Sequence, residues 1–278
     1  MSLAVVAARR AGVIVLCLAL AACASPGKPP AAETAAPARA VGYLDRAMAP
    51  DSLALVPPPP APGSPGMALD EAVSRQALAL HGTPRFTQAT RDADLSFPAG
   101  ASQFACALGI PVDRTRTPHL YRLLERSRID ASAATKAAKN HYRRPRPFML
   151  NGQPTCTPED EEELRGNGSY PSGHSAIGWA WALILVEADP GRTDALLDRG
   201  RNYAESRLVC NVHWQSDVLE GRHMGAAAVA RLHDNAEFRA DLAAARGEIA
   251  AARAAGLKPD GDCDAQAATL RIHPESAL

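Results

Sequence analysis

Aromatic side chains are scarce in this sequence: phenylalanine, tryptophan and tyrosine together make up 5% of 278 residues. Runs of β-branched residues are scarcer still, no convincing apolar–polar alternation occurs, and no internal repeat is visible. Strands are built from those residues in that alternation, so little is left from which to make a sheet. Alanine, the best helix former, is frequent instead. Neither charge is in excess, with Lys plus Arg and Asp plus Glu at 30 each, which leaves no electrostatic footprint for nucleic acid. No two cysteines stand at CxxC spacing, which argues against a zinc site. Past the first two dozen residues no apolar run reaches the ~18 needed to cross a bilayer as a helix.

The N-terminus reads as an export signal. Arg9 and Arg10 precede the apolar run Gly12 to Ala22, too short to span a membrane and suited to a signal core. It ends in Leu20-Ala21-Ala22-Cys23, which resembles the lipobox of bacterial lipoproteins. The resemblance implies cleavage after residue 22 and a lipid on the Cys23 thiol. Removing residues 1–22 takes away two arginines and no acid, leaving 28 basic against 30 acidic residues. The expected location is the periplasm, and Ala24, with no acid after the lipidated cysteine, points to the outer membrane. Residues 23–66 are rich in Pro and Ala, with Pro57 to Pro60 consecutive, a composition that stays extended. They are assigned to a tether, with docking of Tyr43 to Met48 on the domain as the less favoured alternative.

The domain is expected over 67–256, followed by a polar tail, 257–278. Helical patterns run over Ala68–Leu80 (stopped by Gly82), Phe104–Leu108, His119–Arg128, Ala131–His141, Asp194–Glu205, Ser216–His233 and Ala236–Ala255. Ser175 to Ala188 is apolar nearly all round, which places it in the middle of a core. Residues 149–169 read as a polar loop. The fold class is all-α, a single-domain helical bundle. Cys106, Cys156, Cys210 and Cys263 make an even set in an exported chain, consistent with up to two disulfides; three pairings are open.

Three motifs carry the chemistry: Lys139, six residues, then Arg146-Pro147; Pro171-Ser172-Gly173-His174; and Ser206-Arg207, five residues, His213, three residues, Asp217. Each alone is weak, but the three in this order resemble the signature of the phosphatidic acid phosphatase type 2 superfamily, which includes the vanadium haloperoxidases. The wider stretches from Lys139 to Phe148, Gly168 to Trp179 and Glu205 to Val218 resemble the bacterial class A non-specific acid phosphatases, and the likeness runs from about residue 104 to 250.

Each residue type suits phosphoryl transfer. His213 and Asp217 are four apart and would share a helix face. A carboxylate that accepts Nδ1–H leaves Nε2 as a lone pair able to attack phosphorus. Ser172 suits a helix N-cap and Gly173 a close backbone approach, so this helix start is an anion site. His174 beside it is placed to protonate a leaving alkoxide. Lys139, Arg146 and Arg207 supply the positive field that a transferring phosphoryl group needs. Prolines 145 and 147 break any helix between Lys139 and Arg146, which puts Lys139 near a helix end and Arg146 in a stiff extended turn. Arg143 and Arg144 are assigned to the surface or rim. His81, His119, His141, His223, His233 and His273 fit no motif.

The resemblance implies a two-step phosphomonoesterase: His213 takes the phosphoryl group while His174 protonates the leaving group, and water then hydrolyses the phosphohistidine. It implies no metal and no cofactor, vanadate as a phosphate-mimicking inhibitor, a small phosphomonoester substrate, possible transfer to alcohols, and a homo-oligomer. A haloperoxidase would oxidise bromide in the presence of vanadate and peroxide. Lipid phosphatases of this superfamily usually carry several membrane spans, which this chain lacks, but a lipid anchor would place the site near a membrane and keeps lipid phosphates open as substrates; a phosphate-binding lipoprotein would need neither a nucleophile nor an acid.

Overall fold

Ser172 starts the helix around which the others are laid: its side chain accepts from the Ser175 amide at 3.2 Å, an N-cap that satisfies one of the orphan donors of a first turn. The structure, a computed structural model, describes residues 40–274; the expected export signal and the expected lipidation at Cys23 lie outside the described residues. The labelled helices are α1 (Pro65–Leu78), α2 (Pro84–Ala93), α3 (Pro118–Ala133), α4 (Lys136–Tyr142), α5 (Gly173–Ala188), α6 (Thr193–Val209), α7 (Gln215–Leu232), α8 (Ala236–Ala254) and α9 (Cys263–Leu270). Shorter helical turns lie between them, and no strand occurs among the described residues. No helix among them is long and apolar enough to cross a membrane. The all-α expectation holds.

Helix α5 sits where its composition requires, packed by α3, α6, α7 and α8, with Ala176, Ile177, Ala180, Trp181, Ile184 and Leu185 buried. Trp181 is fully buried, its indole N–H donating to Leu124 O at 2.9 Å and its ring edge-on to Phe97 and Phe104. Two glycines of α7 set how close that helix comes to the start of α5. A Cβ on Gly221 would stand 2.5 Å from Ser172 O, and one on Gly225 2.4 Å from Ala176 O, so no side chain fits at either position.

Several boundaries differ from expectation. The stretch 131–141 is not one helix: α3 ends at Ala133 and α4 starts at Lys136, because Thr135 turns back on Ser132 through both its amide (3.2 Å) and its hydroxyl (2.9 Å). Helix α2 was not expected, although Thr83-Pro84 followed by Phe86, Ala89 and Ala93 carries its signature. The expected loop 149–169 overlaps the end of the short helix Pro147–Asn151 and contains a second, Glu161–Arg165.

The folded body also begins upstream of residue 67. The Tyr43 and Leu44 amides donate to the Asp130 carboxylate at 2.8 and 3.0 Å. The Tyr43 hydroxyl donates to Asp241 at 2.7 Å, and Arg126 lies 3.8 Å over its ring. Ser52 Oγ accepts the Ala138 amide of α4 at 2.9 Å, and Pro57 O accepts the Tyr170 hydroxyl at 2.6 Å. The residues from 43 to 57 are a strap laid over the helices. At the other end α9 is tied back by Cys106–Cys263, and the second disulfide is Cys156–Cys210.

Candidate active site

Lys139 stands in the last turn of α4 and is 5% exposed. Its ammonium donates to Gly168 O at 2.8 Å and Ser169 O at 3.3 Å. Arg146 follows in an extended conformation, φ −83° and ψ 156°, as the residue before Pro147, the backbone a pre-proline position prefers. Its Nε donates to Leu164 O at 3.0 Å and Asn167 O at 3.1 Å, and its Nη1 to Val212 O at 2.9 Å and His213 Nε2 at 3.1 Å. Both residues take the helix-end and extended-turn positions expected of them.

Arg207 arrives from the last turn of α6 and is 2% exposed. Its Nε is buried without a hydrogen-bond partner among the described residues, and its Nη1 reaches only Cys210 Sγ at 3.8 Å. A buried guanidinium so poorly satisfied is costly unless an anion completes it.

Ser172 and Gly173 form the start of α5. The Gly173 and His174 amides have no intrahelical partner by geometry, and a Cβ on Gly173 would meet only Thr135 Oγ1, at 3.7 Å, so backbone is open to close approach here. His174 Nε2 is 2.9 Å from Ala93 O. A carbonyl can only accept, so Nε2 carries the proton and Nδ1 is the nitrogen left for chemistry.

His213 and Asp217 do pair, at 3.3 Å from Nδ1 to Oδ2, but not across a helix face as the spacing suggested. Asp217 lies in the first turn of α7, whereas His213 precedes that helix, in the loop 210–214. Asp217 Oδ2 also accepts the Trp214 amide at 2.9 Å, half of a capping box. That loop is shaped by Asn211, whose φ of 59° is left-handed, a conformation asparagine tolerates better than most residues. The Asn211 side chain is tied to Asn151 and Gln153 O.

The expected site residues therefore converge, and one further residue joins them. Arg144, assigned to the rim, is 7% exposed and donates to Asp217 Oδ1 at 2.6 Å. No periodicity marks it among the arginines and prolines of 143–147, so its burial is not readable from the sequence.

Positive charge dominates the cluster. Burial, then the neighbouring Arg207, lowers Arg146 to about 10, and burial lowers Arg207 to about 10. Burial and Arg146 hold the Lys139 ammonium well below its usual range. Both histidines are held well below 6.5, first by burial, then by Arg146 for His213 and Arg207 for His174. Burial pushes the Asp217 carboxyl up, and Arg144 pulls it back down. Three crowded cations and two neutral imidazoles are a charge arrangement that a phosphate-like dianion would relieve.

A family model described as the PAP2 superfamily matches residues 128–239. Over 209 residues the chain is 44% identical to the non-specific acid phosphatase of Providencia stuartii, covering 75% of this chain and 84% of that one. It is 41% identical over 210 residues to an acid phosphatase of Zymomonas mobilis, 76% of this chain and 80% of the other. A third relative, the non-specific acid phosphatase of Salmonella typhimurium, is 42% identical over 195 residues, 70% and 78% of the two chains.

Proposed function

Because the chain belongs to the PAP2 superfamily, and within it to the class A non-specific acid phosphatases, we propose that its acid phosphatase activity runs through a phosphohistidine on His213. The observation that carries this is the hydrogen-bond polarity around that ring. An arginine N–H can only donate, so the nitrogen 3.1 Å from Arg146 Nη1, Nε2, holds the lone pair. Nδ1 then carries the proton and donates to Asp217.

The substrate phosphate is held by Lys139, Arg146, Arg207, the Ser172 hydroxyl and the Gly173 amide. Arg146 Nη1 turns from Nε2 to a phosphate oxygen as the substrate enters. The Nε2 lone pair forms a P–N bond while the ester P–O bond breaks, and the leaving alkoxide takes the proton from His174 Nδ1. In the second step His174 Nδ1 takes a proton from water, whose oxygen attacks phosphorus; the P–N bond breaks and phosphate leaves. An alcohol in place of water gives phosphotransfer. The cations and helix amides supply the transition-state stabilisation, so the reaction needs no metal and no cofactor, and vanadate inhibits as a phosphate mimic.

The depressed histidines account for an acid optimum. His213 must be neutral and stays so down to acidic pH, while His174 must be protonated, which the low pKa of the free enzyme permits only at acidic pH or once a phosphate dianion sits beside it. The test is turnover of an aryl phosphate at pH 5–7 by the full chain, with and without chelator, beside His213→Ala. Chelator-resistant turnover and an alkali-stable, acid-labile phosphoenzyme, both absent in His213→Ala, are expected. Turnover lost to chelator overturns the proposal.

Two disulfides support an oxidising compartment. With the Leu20-Ala21-Ala22-Cys23 motif, they support a periplasmic lipoprotein anchored through Cys23. Incorporation of labelled palmitate, lost in Cys23→Ser, tests it. The homo-oligomer implied by the resemblance is tested by the sedimentation mass of the purified chain.

A further inference from the structure

The network behind His213 extends past Asp217 to a carboxylate in α1. Arg144 Nη2 donates to Asp70 Oδ2 at 2.7 Å while its Nη1 donates to Asp217 Oδ1 at 2.6 Å. Ser216 closes the ring: its amide donates to Asp70 Oδ1 at 2.8 Å and its hydroxyl to Asp70 Oδ2 at 2.6 Å, and the hydroxyl oxygen accepts from Arg144 Nη1 at 2.8 Å. The guanidinium lies 5.4 Å over the Trp214 ring, whose N–H donates to Pro145 O at 2.9 Å. Asp70, Arg144 and Asp217 are 1%, 7% and 0% exposed. Three of the four residues after His213 are thus gripped from behind by residues 70, 144 and 145. Asp70 lies outside the stretch 128–239 that the family model matches.

We propose that Asp70 and Arg144 are positioning residues for His213: Arg144, clamped between two buried carboxylates, fixes the Asp217 oxygen that orients the imidazole. This rests on His213 being the nucleophile. Asp217 has one oxygen for the ring and one for Arg144. With Arg144 held by Asp70, the Asp217 carboxylate cannot rotate, and Oδ2 stays on the Nδ1 side of His213. Two carboxylates sharing one guanidinium leave a net negative charge behind the ring, which strengthens the pull on Nδ1–H as Nε2 bonds to phosphorus. Removing a buried partner leaves the other charge uncompensated, and groups that orient metal-binding histidines commonly cost 10- to 100-fold in activity when substituted, the scale taken over here for a nucleophilic histidine.

The charged groups facing His213 are Arg146, Lys139, Arg207 and Arg144, which all lower its pKa, the contacting Asp217, and His174 across the site. Loss of Arg144 removes a cation and moves the acid limb of the kcat/KM profile to higher pH. Loss of the Asp70 charge leaves Arg144 less neutralised and moves that limb to lower pH. A merely structural loosening gives no such opposed pair.

The experiment compares full chains carrying Asp70→Asn, Arg144→Gln, Arg144→Lys and His213→Ala on one aryl phosphate across pH, with vanadate inhibition and phosphoenzyme trapping. We expect kcat to fall about 10-fold in D70N and about 100-fold in R144Q, with opposed shifts of the acid limb. Vanadate inhibition should stay within about threefold, because the anion is held by other residues. In R144K the limb should stay near that of the unsubstituted chain while kcat falls. If R144Q does not fold, D70N and R144K decide. D70N with an unchanged kcat and pH profile overturns the proposal, as do limbs that move together. Failure of the underlying reading looks different: the unsubstituted chain traps no phosphoenzyme, or H213A keeps turnover.

Discussion

Replacing Arg207 with methionine should make the free protein more stable and the enzyme inactive. The Arg207 guanidinium is lowered from 12.5 to about 10 by burial. At 1.36 kcal/mol per unit, the charged form costs the fold about 3 kcal/mol relative to the neutral one. At pH 7 the residue is charged in both folded and unfolded chains, so the cost is fully present there and is relieved only as pH rises through 10. Little is lost in exchange, since Nε has no partner among the described residues and Nη1 reaches only a sulfur. A gain of about 1–3 kcal/mol would raise Tm by roughly 2–4 °C per kcal/mol for a domain of this size. Arg146→Met is the control. That side chain serves Leu164 O, Asn167 O and Val212 O, and removing it takes a donor from one buried and two part-buried carbonyls, at about 1–3 kcal/mol for each one left unpaired, so Tm should fall. Calorimetry with and without inorganic phosphate reads both effects. Phosphate at 100 times its Kd should stabilise the unsubstituted protein by about 2.7 kcal/mol and either variant by much less. If Arg207→Met lowers Tm as Arg146→Met does, the cluster stores no unfavourable charge and Arg207 is a structural residue.

Other expectations concern pH, disulfides and packing. The kcat/KM profile should be a bell with an acidic maximum, both limbs lying below pH 6.5 in the free enzyme because both histidines are depressed; a rate still rising at pH 9 would refute the assigned roles. Cutting Cys156–Cys210, which closes a 54-residue separation, should cost about 4 kcal/mol of stability and lower kcat, because Cys210 stands three residues before His213. Cutting Cys106–Cys263, with its 157-residue separation, should cost about 5 kcal/mol with kcat held; equal kcat losses in the two would show that neither bridge is linked to the site. Gly221→Ala would put a methyl 2.5 Å from Ser172 O, which should push α7 off the start of α5 and weaken vanadate inhibition and turnover together. Deleting residues 1–60 removes the Tyr43 and Ser52 anchors and should lower Tm, read by thermal melting against the full chain.

Much of the site was legible in the sequence because its chemistry is carried by residue types at short, rigid spacings. The prolines around Arg146 dictate an extended turn, and Ser172-Gly173 before an apolar run dictates a capped helix start. The helix Ser175 to Ala188 was legible as central because only Ser175 at its start and Glu187 near its end are polar. Less visible was whatever depends on a distant partner. The strap 43–57 reads as Pro/Ala tether by composition, and partners many residues away, among them Asp130, Ala138, Tyr170 and Asp241, turn it into packed structure. The pairing of four cysteines had no local determinant.

The same division runs through the pair His213 and Asp217. Four-residue spacing put His213 and Asp217 together, and they are together, yet the helix begins between them. The sequence by itself determined the all-α class, and it supplied the export-signal reading of the N-terminus and the candidate set of phosphate-handling side chains, since composition, hydrophobic run length and motif spacing act within a turn or two of chain. Tertiary structure alone decided which nitrogen of each histidine is free, that Arg144 is buried and that Asp70 stands behind the site. A hydrogen bond's direction and a charge's burial are set by what the fold brings within about 3 Å, and for these residues that neighbour comes from elsewhere in the chain: Ala93 for His174, Asp70 for Arg144.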